Sequence, residues 1–117
     1  FLGDAILGLI ISEYLYQRLP DQAEGRLSQI RSHLIDAQSC AQFLQKLHLG
    51  DAILLGRGEK MSEGHAKVSI LADVFEALIA AIYLDGGLEV VKRFLFQSFS
   101  EQMEAALEGP SRNYKAE

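Results

Sequence analysis

Ser69-Ile-Leu-Ala-Asp-Val-Phe-Glu-Ala-Leu-Ile-Ala-Ala-Ile-Tyr-Leu84 decides the fold. Its spacing and alanine content predict a helix, and apolar residues on nearly every side predict burial on most faces. Two charges interrupt it, Asp73 and Glu76. Three residues apart, their side chains leave the helix about 60° from each other, so they project from nearly one face. Carboxylates set together in an apolar wall repel each other and lose hydration, a cost that a cation between them offsets. A divalent ion with oxygen ligands meets that need. A structural reading stands beside it, with Asp73 favoured by the helix dipole and Glu76 paired with an arginine from another element.

The remaining composition narrows the class. A chain of 117 residues is one domain, and 49% hydrophobic content leaves room for a buried partner surface. Cys40 is the only cysteine, so there is neither a disulfide framework nor a cysteine-based zinc site, which fits a reducing, cytoplasmic compartment. The net charge of −5 is wrong for gripping nucleic acid by bulk electrostatics. Affinity of that kind would have to come from local basic loops, a metal or another domain. The chain opens on Phe1 inside a helical pattern, as a fragment would. Its first apolar run carries Asp4 and Glu13 and has no basic leader, which argues against a signal peptide or a membrane span.

Residues 1 to about 19 read as a helix, stopped by Pro20. Asp4 shares a face with Leu7, Gly8 and Ile11, whereas Glu13 points the other way. This predicts a shielded Asp4 and a solvated Glu13. Gly8 leaves space for a close approach of a backbone, a metal or a ligand. The alternative for Asp4 is a first-turn acid favoured by the helix dipole. Asp21–Gly25 reads as a turn, and Leu27, Ile30, Leu34 and Ile35 mark a second helix that Glu24 either caps or leaves to reach a site. Ser39 is placed to cap a third helix, ended by Gly50. His33 and His48 read as surface or packing histidines and Cys40 as a small buried hydrophobe.

The stretch 54–67 is the longest irregular segment. Its Arg57, Lys60, His65 and Lys67 are either solvated loop charges or phosphate contacts beside the carboxylates. Asp85-Gly86-Gly87 stops the central helix, and Val91, Leu95, Phe99 and Met103 recur down one face of a last helix ended by Gly109-Pro110. No strand signal or repeat emerges. The fold class is all-α.

Three separate stretches, in order, resemble the ribonuclease III endonuclease domain: Phe1-Leu-Gly-Asp-Ala-Ile-Leu7; Glu24-Gly25 with Leu27, Ser28 and Arg31; and Ser69–Leu78 continuing to Tyr83-Leu-Asp-Gly-Gly87. The resemblance covers nearly the whole chain. It implies a helical bundle, homodimeric, acting as a magnesium-dependent endonuclease on double-stranded RNA, with Mn2+ able to substitute. On it, Asp4, Asp73 and Glu76 match acidic metal-site positions, with Asp4 and Glu76 catalytic. Glu24 matches an acid of the second motif, and Phe1 with the apolar residues after it matches a stretch used at the dimer interface. The resemblance divides the chain into an endonuclease domain, residues 1–110, and residues 111–117 as the start of a linker to a double-stranded-RNA-binding domain. The family's glutamate immediately before Phe1 is not in this sequence, and Glu63-Gly-His65 stands where a second glycine and an arginine are common.

The chemistry follows from the residue types. Phosphodiester hydrolysis builds charge on oxygen and needs a strong nucleophile at neutral pH, and carboxylates holding Mg2+ supply both. On this reading Asp4 and Asp73 position the metal and Glu76 orients the attacking water. The competing class is a catalytically inactive dimerisation or RNA-scaffold module on the same fold.

Overall fold

The computed structural model describes the backbone of residues 1–47 and 64–116, and the side chains of 1–47 and 67–108. Five helices and no strand occur among the described residues: α1 (Leu2–Arg18), α2 (Glu24–Leu34), α3 (Ala37–Lys46), α4 (Gly64–Gly86) and α5 (Leu88–Ala116). The central stretch lies in α4, as its pattern predicts, and α4 packs chiefly on α3 and α1.

Local chemistry explains the breaks. Leu19 leaves helical geometry just before Pro20. Gly87 adopts φ 89° and donates its N–H to the Tyr83 carbonyl at 2.8 Å, the left-handed stop expected of Gly86-Gly87. The cap of α3 is Asp36 rather than Ser39: its carboxylate accepts the Ser39 N–H at 2.8 Å. Ser39 instead donates its hydroxyl to the His33 carbonyl at 2.7 Å and so ties the end of α2 to the start of α3. Glu24 does not cap α2; it is the first residue of that helix, behind Ala23. The helix therefore begins inside the stretch read as a turn.

Two more boundaries differ from expectation. α4 starts at Gly64, within the segment read as irregular, and α5 continues through Gly109-Pro110 to Ala116. Proline keeps a φ compatible with a helix, so it costs a hydrogen bond without forcing an end. His48, Gly50, Arg57 and Lys60 lie outside the described residues, as does the side chain of His65.

The aromatic part of the core forms where α3, α4 and α5 meet, and Ile6, Leu7, Ile10, Ile11 and Leu15 of α1 extend it. Phe75 and Phe99 are completely buried, and the Phe43 ring lies tilted against both, its centroid 4.6 Å from that of Phe99 and 5.6 Å from that of Phe75. Each such pair adds about 0.5–1.5 kcal/mol beyond simple burial. Val91, Leu95, Phe99 and Met103 are all buried, so the four-residue spacing of α5 reports its inner face correctly. α4 departs from the expectation of burial on most faces. Leu71, Ala72, Phe75 and Ile79 point inward, while Asp73, Ala77, Ala81 and Leu84 form an exposed row. Within one chain α1, α3 and α5 cover only part of its circumference.

Candidate active site

The acids meet where the start of α1 crosses α4. Phe75 anchors α4 in the core and thereby turns its two neighbours at Asp73 and Glu76 toward the far flank. There they line a cavity of ≈ 220 Å3 whose other wall is Phe1, Leu2 and Gly3. Asp4 follows directly on that wall. The Glu76 carboxyl is held above its ordinary value, first by burial, then by the charge of Asp4 and that of Asp73. The charges of Asp4 and Asp73 thus both act on Glu76.

Of the two structural explanations for the α4 pair, the dipole fails and the arginine partner is not found among the described residues. Asp73 is the tenth residue of α4, far beyond the first turn where the dipole acts. Among the described residues no arginine or lysine forms an ion pair with Asp73 or Glu76. Asp4 does sit in the first turn of α1, where the dipole favours it.

The shielding expected of Asp4 is not found. It is exposed, because α4 meets the start of α1 through Gly3 and leaves the next residue open. The close approach expected at Gly8 is likewise at Gly3. A Cβ on Gly8 would meet nothing within 4 Å, whereas one on Gly3 would fall 2.0 Å from the Glu76 carbonyl oxygen. Glu13 is not merely solvated either: Lys92 of α5 reaches it at 3.1 Å.

Glu24 stands apart from the three acids. It lines a larger cavity of ≈ 510 Å3 between α1 and α2, with Leu9, Tyr16, Leu27 and Arg31. Lys67 is half-buried in the first turns of α4. His33 lies 3.8 Å from Asp36 at the surface, as a non-ligand histidine would. Cys40 is buried, and its thiol is pushed up to about 12 by burial and by the charges of Glu76, Asp36 and Asp4. Its thiol donates to the Ile35 carbonyl at 3.7 Å.

The donor set suits a hard divalent ion in charge and atom type: carboxylate oxygens, with the one nearby thiol kept protonated. No three His, Cys, Asp or Glu side chains among the described residues form a closed metal-holding group. An open site of carboxylates with water completing the sphere is the arrangement these residues can offer, and Mg2+ accepts it.

Comparison with known proteins decides the relationship. A ribonuclease-III-like family model matches residues 1–103. The chain belongs to the ribonuclease-III-like family. Over 116 residues it is 53% identical to ribonuclease 3 of Protochlamydia amoebophila (strain UWE25), covering 99% of this chain and 48% of that protein. It is 46% identical to ribonuclease 3 of Syntrophomonas wolfei, covering 99% of this chain and 50% of that one. The chain spans about half the length of the curated relatives it matches. A crystal structure of the nuclease domain of Campylobacter jejuni ribonuclease III superimposes with a TM-score of 0.72 at 38% identity, covering 87% of this chain and 69% of that chain. A second structure of that nuclease domain, described for flexibility in a region involved in dimer formation, gives 0.69 at 39% identity, covering 86% and 73%. The all-helical ribonuclease-III-like fold read from three short motifs is thus the fold of this chain.

Proposed function

We propose that this chain is the catalytic part of a divalent-metal-dependent endonuclease that hydrolyses phosphodiester bonds in double-stranded RNA. The observation that supports the reading is that Asp73 and Glu76 line one cavity at the α1–α4 crossing, with the charge of Asp4 acting on Glu76 and no cationic side chain paired to Asp73 or Glu76 among the described residues. Repulsion of this kind is retained at a cost, and a perturbed carboxyl such as that of Glu76 commonly marks a functional site.

Asp4, Asp73 and Glu76 are the residues that would hold Mg2+, or Mn2+ in its place. When bound, the ion offsets charge on the phosphoryl oxygens and makes water a competent nucleophile at neutral pH. Glu76, the most shielded of the three, orients that water and takes its proton. The water oxygen joins phosphorus while the bond to the 3′ oxygen breaks, and that oxygen leaves with a proton. The products carry 5′-phosphate and 3′-hydroxyl ends.

The exposed apolar residues Phe1, Leu9, Tyr16 and Leu84 fit a homodimer, which would set two sites against the two strands of one duplex and stagger the cuts. Lys67, with Arg57, Lys60 and His65, would contact phosphates beside the acids, and Glu24 would act from the neighbouring cavity. Double-stranded RNA is recognised mostly by shape and 2′-hydroxyls, so sequence preference should be weak. Processing of ribosomal and messenger RNA precursors in the cytoplasm fits such an activity, and residues 111–117 would lead toward an RNA-binding domain.

Digestion of an end-labelled RNA duplex tests this. Products with 5′-phosphates, 3′-hydroxyls and offset cuts on the two strands are expected. Binding without cleavage would favour the inactive scaffold.

A further inference from the structure

The acids are brought together by a helix crossing, and that crossing depends on one residue. An ideal Cβ on Gly3 would stand 2.0 Å from the Glu76 carbonyl oxygen, 2.7 Å from its carbonyl carbon and 3.0 Å from its Cα. All three are backbone atoms, so no side chain can swing aside. Ordinary contact begins near 3.4 Å, and any side chain at position 3 must therefore part α1 from α4 by more than about 1 Å.

Backbone conformation does not account for this glycine, because Gly87 is the glycine with positive φ among the described residues. Helix propensity argues against it, since alanine is the better helix former by about 1 kcal/mol. Close approach is what remains. The two residues it brings together matter: Asp4 is the next residue along α1, and Glu76 is the residue touched.

We propose that Gly3 is a positioning residue for the acidic site, setting the separation of the Asp4 and Glu76 carboxylates by allowing α1 to rest on the Glu76 backbone. This rests on the functional reading above. Gly3 touches neither the ion nor the RNA in this account; it acts through the two acids. Residues that orient metal ligands without binding the metal change affinity by about 10- to 100-fold when altered, and a displaced crossing should do the same.

The test uses the full-length protein and Gly3→Ala, with Mn2+ binding followed by calorimetry in the absence of RNA, alongside thermal unfolding and duplex cleavage. Expected are a folded variant, an Mn2+ Kd raised about 10- to 100-fold, a lowered kcat and a KM for duplex RNA that stays near wild type. Ile30→Val, a core change on α2, is the stability control; it should lower Tm and leave Mn2+ affinity alone. Should Gly3→Ala fail to fold, Ala80→Val wedges the same crossing from the α4 side, since Ala80 lines the cavity with Leu2 and Gly3. It should weaken Mn2+ binding in the same direction. Wild-type affinity in whichever of these variants folds overturns the inference, as does an equal loss in Ile30→Val. A wild type that itself binds no Mn2+ overturns the functional reading and this inference with it.

Discussion

The Lys46 ammonium donates to the Ser98 carbonyl at 2.7 Å, one residue before α5 leaves helical geometry at Phe99 (φ −132°, ψ 20°). The same ammonium stands 5.6 Å over the Phe99 ring. Helix kinks need a cause, and here a side chain from α3 supplies the partner for a carbonyl at the break. Phe99 can then turn fully into the core between Phe43, Phe75 and Phe94. Lys46→Met should cost about 1 kcal/mol, a net charged hydrogen bond discounted for exposure. Urea denaturation would read it as a lower midpoint with an unchanged slope.

Phe75 sets the direction in which Asp73 and Glu76 point. Fully buried and in ring contact with Phe43 and Phe99, it should cost about 3–5 kcal/mol when cut to alanine. That is a large share of the ~5–15 kcal/mol available to a domain. Phe75→Ala should therefore unfold near ambient temperature, which circular dichroism on heating would show.

Glu76 is a liability to the metal-free fold. Its carboxyl titrates above its ordinary value, so between the two values the folded state holds more protons than the unfolded one. Stability then falls as pH rises through that window and stays lowered above it. Glu76→Gln removes the penalty. At neutral pH without metal the variant should melt higher than wild type, and the advantage should vanish below the ordinary glutamate range. Added Mg2+ should raise the Tm of wild type but not of the variant.

Cys40 gives a second pH signature. Its thiol, pushed up to about 12 chiefly by burial, stays protonated in the fold while an unfolded thiol ionises near 9. The unfolded state alone loses that proton as pH rises above 9, so stability should decline from there upward. A thiol-reactive dye at pH 8 should label the native protein very slowly and label it fully in denaturant.

What the sequence conveyed follows from how local each signal was. The inner face of α5, the stop at Gly87 and the shared direction of Asp73 and Glu76 on α4 are read from spacing within one helix, and all three are found. The motif order likewise pointed to the family. Failures came where two elements meet. Asp4 shares a helical face with buried Ile11, yet α4 does not cover it, and Gly3 rather than Gly8 takes the crossing. No periodicity within α1 can say which glycine another helix will touch. Glu13 read as free because its partner Lys92 lies 79 residues away. The cap of α3 was read as Ser39, and backbone geometry gives the role to Asp36 three residues earlier.

The central claim is that Asp4, Asp73 and Glu76 together perform metal-dependent cleavage of duplex RNA. The most direct measurement incubates the full-length protein and Glu76→Ala with a long RNA duplex, each with and without Mg2+, and follows duplex length and duplex binding. The account predicts shortening by wild type only when Mg2+ is present, and none by the variant, which still binds the duplex. A folded, metal-supplied wild type that leaves the duplex intact, or a Glu76→Ala that cuts it as well as wild type, would contradict the account.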